Sequence, residues 1–449
     1  TTILILISNV AFAQFDWTKD VRNPIFSGSG NGTWDKHVMY PMVVFNADLN
    51  RYEMWYCGSE GSGSFYPLRI GFALSADGIN WTKYAGNPVL TPTAGTWDEG
   101  SVEIGMVLRE NGQYKMWYVG MRNNIRQIGY ATSPDGINWT KNANPVLSPG
   151  SAAWEVGGVA WCSVLSNSGS YTMFYTGLQA TGYILRIGRA TSIDGINWQK
   201  DATNNPVLSN GAPGQWDENS VGTGLNCLKI DNTLYMWYTG WNNFDLTNSG
   251  LATSTNDGIT WTKHSGNPVL NLGPAGSWDA SLVETGTVLL EGDTFRMWLD
   301  AYGANVTDLW RIGVATSPLQ SAIWQTQNSN FPADVFIINF SSVNDQVCWA
   351  VGQKIPGNTT PYASYIRTTN GGSNWILNTI PGISNGYLDE IFAIDANTVY
   401  VTCYKLLGTT GTVGIYKTTD GGVTWNRQDA YNSSQTGPAY IYFFDSQHG

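Results

Sequence analysis

Two glutamates stand out because they interrupt a repeat. A tryptophan followed by an acid recurs at intervals of 57 to 63 residues, at Trp34-Asp35, Trp97-Asp98, Trp154-Glu155, Trp216-Asp217 and Trp278-Asp279. Six residues after each tryptophan the residue type changes, and it is a carboxylate only at Glu103 and Glu284. A pair of carboxylates can cleave a glycosidic bond, one protonating the leaving oxygen and the other activating water or attacking carbon. The alternative is that both are solvated or ion-paired glutamates.

The repeated acids form a second candidate set. Asp35, Asp98 and Glu155 follow one another as Asp, Asp and Glu in three consecutive copies. Their recurrence in all five copies favours a structural task, such as capping a backbone turn, over catalysis. Both interpretations stay open at the level of sequence.

Several residues without counterparts in the other copies are candidates for binding a sugar. An aromatic ring can stack on the apolar face of a pyranose, and amides or charges can bind its hydroxyls. His37 is also a candidate proton donor. The candidates are His37, Trp161, Arg122, Asn123, Trp241, Asn242, Asp300 and Tyr302, with Phe65, Tyr66 and Asp245 in the same group of loops.

The elements that position these residues are predicted to be four short strands in each copy. Around Trp97 they cover 101–109, 114–119, 127–132 and 137–141, and helical periodicity is absent. Repeated four-stranded sheets indicate an all-β protein with a five-bladed β-propeller over residues 14–326. A stray strand, 15–19, is expected to complete the last blade and close the ring.

The propeller geometry predicts where chemistry takes place. First strands line the channel and begin at the face that carries the loops between second and third strands, where the candidates gather. The opposite face carries the Asp-Gly turns, whose acids are interpreted as turn formers: Asp77, Asp135, Asp194 and Asp257.

The repeat changes beyond residue 331. The segments 368–375 and 418–425 resemble the Asp-box (Ser/Thr-x-Asp-x-Gly-x-x-Trp) of sialidase-type repeats. Two such blades cannot close a ring, so residues 331–449 are predicted to form a truncated second propeller.

The first repeat resembles the five-bladed propeller glycoside hydrolases of families 43, 62, 32, 68 and 130. Tyr-x-Met-Trp-Tyr-x-Gly, Arg-Ile-Gly-x-Ala-Thr-Ser-x-Asp-Gly-Ile-Asn-Trp and Asn-Pro-Val-Leu carry the likeness. It implies Asp, Asp and Glu at the channel ends of three consecutive first strands. Those positions hold Tyr40, Glu103 and Ala160 here, so only one carboxylate matches. Tyr40 would suit a tyrosine nucleophile like that of sialidases.

Two functions therefore remain: a glycoside hydrolase-like enzyme without a cofactor, with room for a structural Ca²⁺, and a non-catalytic glycan- or protein-binding propeller. The net charge of −11 and the lack of a basic run argue against nucleic acid as a partner. Residues 1–13 match the end of a signal peptide, which predicts a secreted or surface protein, and a monomer is expected.

Cys348 and Cys403 could pair across neighbouring strands, whereas the other three cysteines are interpreted as buried thiols.

Overall fold

The computed structural model describes residues 3–4, 15–61, 66–167, 169–243, 246–303, 309–319, 326–327, 330–343, 346–354, 362–383, 385–405 and 410–428. Strands and turns account for the regular structure there, which confirms the all-β prediction. No described segment is a long apolar helix of the kind that crosses a membrane. The chain divides into two compact units, one spanning Phe15–Leu319 and the other combining Thr1–Gln14 with Gln320–Gly449.

The strands are numbered here in chain order. They are β1 (Ile3–Leu4), β2 (Thr18–Lys19), β3 (His37–Asn46), β4 (Arg51–Ser59), β5 (Arg69–Ser75), β6 (Trp81–Lys83), β7 (Ser101–Glu110), β8 (Gln113–Arg122), β9 (Ile125–Ser133), β10 (Thr140–Lys141), β11 (Gly158–Asn167), β12 (Ser170–Leu178), β13 (Leu185–Ser192), β14 (Gln199–Lys200), β15 (Ser220–Ile230), β16 (Thr233–Asn243), β17 (Leu246–Ser254), β18 (Thr262–Lys263), β19 (Leu282–Glu291), β20 (Thr294–Tyr302), β21 (Arg311–Pro318), β22 (Thr326–Gln327), β23 (Val335–Ser342), β24 (Cys348–Lys354), β25 (Ser364–Thr368), β26 (Ile376–Thr379), β27 (Tyr387–Ala393), β28 (Val399–Tyr404), β29 (Gly414–Thr418) and β30 (Asn426–Arg427).

The larger unit is a five-bladed β-propeller, as predicted. Four blades are β3–β6, β7–β10, β11–β14 and β15–β18, and the fifth is β19–β21 completed by β2, which pairs with β21. The inner strands β3, β7, β11, β15 and β19 contact one another in sequence, and β19 contacts β3 again. The stray N-terminal strand therefore closes the ring in the predicted position.

Tryptophans of the second strands join neighbouring blades. The indole N–H groups of Trp55, Trp117 and Trp298 each donate a hydrogen bond of 2.8 Å to a glycine carbonyl in the Asp-Gly turn of the next blade. A buried indole needs such an acceptor, and the turn supplies it. This link explains why the Met-Trp-Tyr strand and the Asp-Gly turn recur together.

The aspartates of three Asp-Gly turns cap the backbone as expected. In the first blade, Asp77 accepts N–H hydrogen bonds from Ile79 and Asn80 at 2.9 and 2.8 Å, and Asp135 and Asp194 repeat the pattern. The prediction is wrong for Asp257. The fourth blade has one extra residue in this turn, so Asn256 accepts from Thr260 N instead and Asp257 takes a left-handed φ of 56°.

The five repeated acids share one arrangement, in which a lysine of the outermost strand reaches back to each carboxylate. The Nζ–oxygen distances are 2.6 Å for Lys83–Asp35, 2.6 Å for Lys141–Asp98, 2.7 Å for Lys200–Glu155, 2.6 Å for Lys263–Asp217 and 2.5 Å for Lys19–Asp279. In four blades a tyrosine of the second strand also donates to the same acid. The N-terminal strand thus supplies the fifth lysine as well as the fifth outer strand.

The smaller unit contains two four-stranded sheets, β23–β26 and β27–β30. In the first sheet, Asn370 Oδ1 accepts from Asn374 N at 3.0 Å, and Asp420 does the same for Thr424 N at 2.9 Å in the second. All five cysteines are buried, and Cys348 and Cys403 are not joined by a disulfide. That these two sheets belong to a truncated second propeller stays a prediction.

Replacing Lys141 with Met should destabilise the propeller by about 3 kcal/mol, because it leaves the buried Asp98 carboxylate without its cation. Burial opposes ionisation of Asp98, but Lys141 lowers its pKa below the ordinary carboxyl value. The stabilisation is therefore present at neutral pH and is lost as the pH falls through the lowered pKa. Urea unfolding at pH 7 and at pH 3 measures both effects. Arg122→Ala, which removes an exposed ion pair with Glu99, is the control and should cost at most about 1 kcal/mol.

Candidate active site

A β-bulge interrupts each of the five inner strands at the same level of the channel. The register shifts lie between Met39 and Met42, Ile104 and Met106, Ala160 and Cys162, Val221 and Leu225, and Thr285 and Thr287. Bulges re-aim side chains and are common beside active sites.

Two bulged residues adopt backbone conformations that non-glycine residues rarely take. Tyr40 has a φ of 53° and Trp161 a φ of 23°. Such strain persists where the surrounding structure enforces it, and it clusters at functional sites. The two rings lie 6.1 Å apart between centroids, so the strained residues pack against each other in the channel.

Glu284 and Asp300 form a buried pair of acids. They lie directly opposite each other in the β19–β20 ladder, 4% and 0% exposed. Thr223 Oγ1 donates to Glu284 Oε1 at 2.5 Å, and Tyr40 N donates to Asp300 Oδ1 at 3.1 Å. The second oxygen of each acid has no hydrogen-bond partner among the described residues. Each therefore keeps one oxygen available for a ligand, a water or a proton.

Burial favours the protonated form of this pair. Burial, and then the charge of Glu103, raises the pKa of Glu284 to about 7. Burial and the charge of Glu284 raise the pKa of Asp300 well above its ordinary value. Since the two groups interact, they titrate as a pair. At least one of them is a proton donor in neutral solution.

Glu103 lies in a different environment, because it has a cation beside it. Arg126 Nε lies 3.3 Å from Glu103 Oε1, and both side chains are almost fully buried. The guanidinium also donates to the Tyr66 hydroxyl and lies 5.3 Å from the Trp161 ring. Although burial opposes its charge, Glu103 raises the pKa of Arg126. The site therefore combines a pair of acids that shares at least one proton with an ion-paired carboxylate.

Aromatic rings surround these charges. Trp161 and Trp241 belong to one buried cluster, against which Tyr40 packs. Tyr183 stacks on Trp241 with centroids 6.2 Å apart, and it is 41% exposed, as Tyr66 is 40% exposed. The indole N–H groups of Trp161 and Trp241 are buried without a partner among the described residues. Rings of this kind, with unpaired donors, suit a ligand that has apolar faces and hydroxyls.

His37 and Tyr302 form a separate contact group. His37 is buried at the start of β3, where its Nδ1 accepts from Trp310 N at 3.4 Å. Tyr302 stacks on Trp310 at 5.9 Å and lies two residues beyond Asp300 in β20, on the same face of that strand.

Other predicted binding residues have contacts with groups other than the buried acids. Arg122 and Asn123 are exposed in the β8–β9 turn, where Arg122 pairs with Glu99 at 2.8 Å and Asn123 has a φ of 52°. Asn242 accepts a hydrogen bond from Asn219 through its carbonyl. Phe65 and Asp245 lie outside the described residues. The anchor acids Asp35, Asp98 and Glu155 are held by the lysines described above.

Sequence reasoning missed Arg126, Tyr183 and Thr223. Arg126 precedes the third-strand Gln127-Ile128-Gly129, at a position where the other copies have Leu68, Leu185, Thr247 and Trp310. The same column comparison that selected Glu103 would have found it. Thr223 follows Gly222 in a stretch where the copies cannot be aligned simply, because the bulge there is longer.

The described part of the chain does not bring together a set of side chains that could bind a metal ion. No group of three or more His, Cys, Asp or Glu side chains comes together there. The pair Glu284 and Asp300 supplies only two carboxyl groups, and burial raises the pKa of both. These residues do not fit the Ca²⁺ site that the sequence left open.

Comparisons with known proteins agree with the fold. No family model matches the chain. An uncharacterized protein of Mycobacterium tuberculosis is 32% identical over 144 residues, covering 31% of this chain and 46% of that protein. A beta-1,2-mannobiose phosphorylase of Thermoanaerobacter sp. is 28% identical over 134 residues, covering 26% of this chain and 44% of that enzyme. The chain thus matches less than half the length of these curated relatives.

Solved structures resemble the chain over a longer stretch. One, a glycoside hydrolase, has a TM-score of 0.54 at 17% identity, covering 65% of this chain and 90% of that one. Another, the beta-1,2-mannobiose phosphorylase of Listeria innocua, has a TM-score of 0.54 at 14% identity, covering 68% and 97%. At these identities the likeness shows the fold alone. The proteins that share this fold include both hydrolases and phosphorylases.

Replacing Glu284 with Gln should stabilise the protein at alkaline pH. An unfolded glutamate ionises near pH ~4.3, whereas folded Glu284 keeps its proton up to a pKa of about 7. Wild type therefore loses stability as the pH rises between these two values. Glu284→Gln should exceed wild type by on the order of 2 kcal/mol at pH 8 and match it at pH 4. Urea unfolding measures this, with the exposed Glu60→Gln as control; equal stability at pH 8 would contradict the raised pKa.

Proposed function

We propose that the propeller cleaves glycosidic bonds in an oligosaccharide or polysaccharide, with Glu284 as the proton donor. The observation that carries the proposal is the buried pair Glu284 and Asp300, which has one unpaired oxygen on each acid and raised pKa values. A general acid works best when its pKa lies near the operating pH.

Glu103 is proposed as the second carboxylate. The ion pair with Arg126 holds Glu103 in place. The negative charge of Glu103 contributes to the raised pKa of Glu284. Two carboxyl groups in environments that separate their pKa values can divide the roles of acid and base. In this scheme Glu284 protonates the leaving oxygen, and Glu103 activates the attacking group or attacks the anomeric carbon.

The aromatic groups are proposed to hold the sugar. Tyr183 and Trp241 offer a stacked pair, and the Trp161 and Trp241 N–H groups offer donors for hydroxyls. The relatives and fold neighbours named for glycosides and mannobiose support a carbohydrate substrate. Because these proteins include hydrolases and phosphorylases, either water or inorganic phosphate is the second substrate.

Glu284→Gln and Glu103→Gln should each lower kcat by about 10²- to 10⁴-fold, the usual contribution of a positioned acid or base. A panel of glycosides that includes β-1,2-linked manno-oligosaccharides, assayed with and without inorganic phosphate, measures this. Glu155→Gln is the matched control, because its carboxylate is paired with Lys200. It should lose stability and keep its turnover. Full activity in both site variants would refute the assignment.

A non-catalytic glycan-binding propeller is the second candidate. The near-complete burial of Glu103, Glu284 and Asp300 favours it, since the exposed members of the site are the aromatic Tyr66 and Tyr183. On a glycan array, a pure binding module should retain binding in Glu284→Gln and lose at least tenfold in affinity in Tyr183→Ala. Release of free sugar from any arrayed glycan by wild type would exclude this candidate.

The proposal also covers the cellular location, the oligomeric state and the second group of repeats. We infer export from the apolar run and the Ala-x-Ala pattern within residues 1–13, and we keep the expectation of a monomer. The Asp-box-like turns at Asn370 and Asp420 support a second propeller of such repeats.

A further inference from the structure

A small chamber lies in the channel at the level of the bulges. Its volume is ≈ 30 Å³, and its lining includes Tyr40, Gly105, Trp161, Thr223 and Thr285. About 10–15 Å³ suffices for a water molecule, provided that two to four polar groups bind it. The chamber is therefore large enough for one water.

Two polar groups of this lining lack hydrogen-bond partners. Trp161 Nε1 and Thr285 Oγ1 are buried, and neither has a hydrogen-bond partner among the described residues. Their side chains are 3% and 2% exposed. Burying a polar group without a partner costs roughly 1–3 kcal/mol, so both groups point to a bound molecule. A single water could accept from the indole and donate to the threonine.

The third polar group of the chamber connects it to the proposed acid. Thr223 Oγ1 donates its proton to Glu284 Oε1 at 2.5 Å, so its lone pairs remain to accept a hydrogen bond. A water in the chamber that donates to Thr223 completes a chain from the chamber to Glu284.

The chamber also adjoins a route to the opposite face. Met42 and Asn226 line both the chamber and a second cavity of ≈ 710 Å³. That cavity is lined by the far ends of the inner strands, including Phe45 and Glu291. It therefore opens at the rear of the propeller, away from the face where Tyr66 and Tyr183 are exposed.

We propose that the chamber holds an internal water that relays protons between rear solvent and Glu284 through the Thr223 hydroxyl. The inference rests on the proposed role of Glu284 as the acid. A sugar bound at the front would block solvent there, and a rear route lets the donor regain its proton while product is still bound.

The relay balances without any co-reactant. Glu284 gives its proton to the leaving oxygen and becomes a carboxylate. Its oxygen then takes the Thr223 hydroxyl proton, Thr223 takes one from the chamber water, and that water takes one from rear solvent. In hydrolysis, the proton that the attacking water loses passes to Glu103 and returns to solvent, so no net proton is consumed.

Thr223→Val tests the relay, because it removes the hydroxyl and keeps the volume. We expect kcat to fall at least tenfold with KM unchanged. We also expect the dependence of kcat on the deuterium fraction of the solvent to change from one that indicates several transferred protons to one that indicates a single proton. Thr223→Ser keeps the hydroxyl and should restore both. Thr285→Val, which removes one partner of the water and leaves the Thr223–Glu284 bond, should show a smaller loss in the same direction.

A high-resolution crystal structure gives a readout that does not depend on activity. It should show an ordered water within hydrogen-bond distance of Trp161 Nε1, Thr223 Oγ1 and Thr285 Oγ1, and no such water in Thr285→Val. A wild-type chamber without water would overturn the inference, and so would full turnover in both threonine-to-valine variants. Turnover that survives Glu284→Gln would instead overturn the proposed function, whatever the chamber contains.

Discussion

The pairing of a buried acid with a lysine from the outermost strand holds each blade in its conformation. The acid lies just before the first strand and the lysine in the last, so one ion pair ties the channel side of the blade to its rim. In the fifth blade Lys19 comes from the N-terminal strand and reaches Asp279. The interaction that organises a blade thus also closes the ring, and only a closed ring sets five inner strands around one channel.

Carboxylates in this propeller take opposite roles because of their partners. Asp98 has a lysine, a threonine and a tyrosine around it, and its pKa is lowered. Glu284 is also buried, but it has one hydroxyl donor and an acidic neighbour in place of a cation, and its pKa is raised. Burial alone raises the pKa of any acid. The presence or absence of a neighbouring cation decides whether a buried acid is ionised and stabilises the scaffold or has a raised pKa and can act as a proton donor.

The repeat made the blades predictable, and comparing its columns selected Glu103 and Glu284. The Trp-Asp, Met-Trp-Tyr and Asp-Gly motifs each form local contacts that recur, so their spacing alone indicates four-stranded blades. The pairing of Glu284 with Asp300 depends on the register of β19 and β20, which a single sequence does not reveal. The bulges at Tyr40 and Trp161 depend on closure of the ring. Arg126 stands out in its own column of the repeat, but only the assembled channel places it beside Glu103.

The bulges explain how a symmetric scaffold carries an asymmetric site. A regular strand would alternate its side chains in the same way in every blade, so five equal strands would line the channel with equivalent positions. A bulge adds a residue and shifts the side chains that follow, and its form differs from blade to blade. The first blade directs Tyr40 to the channel, the third Trp161 and the fourth Thr223. Strain at these few residues is tolerated because the lysine–acid pairs and the tryptophan bridges between blades fix the rest of each sheet.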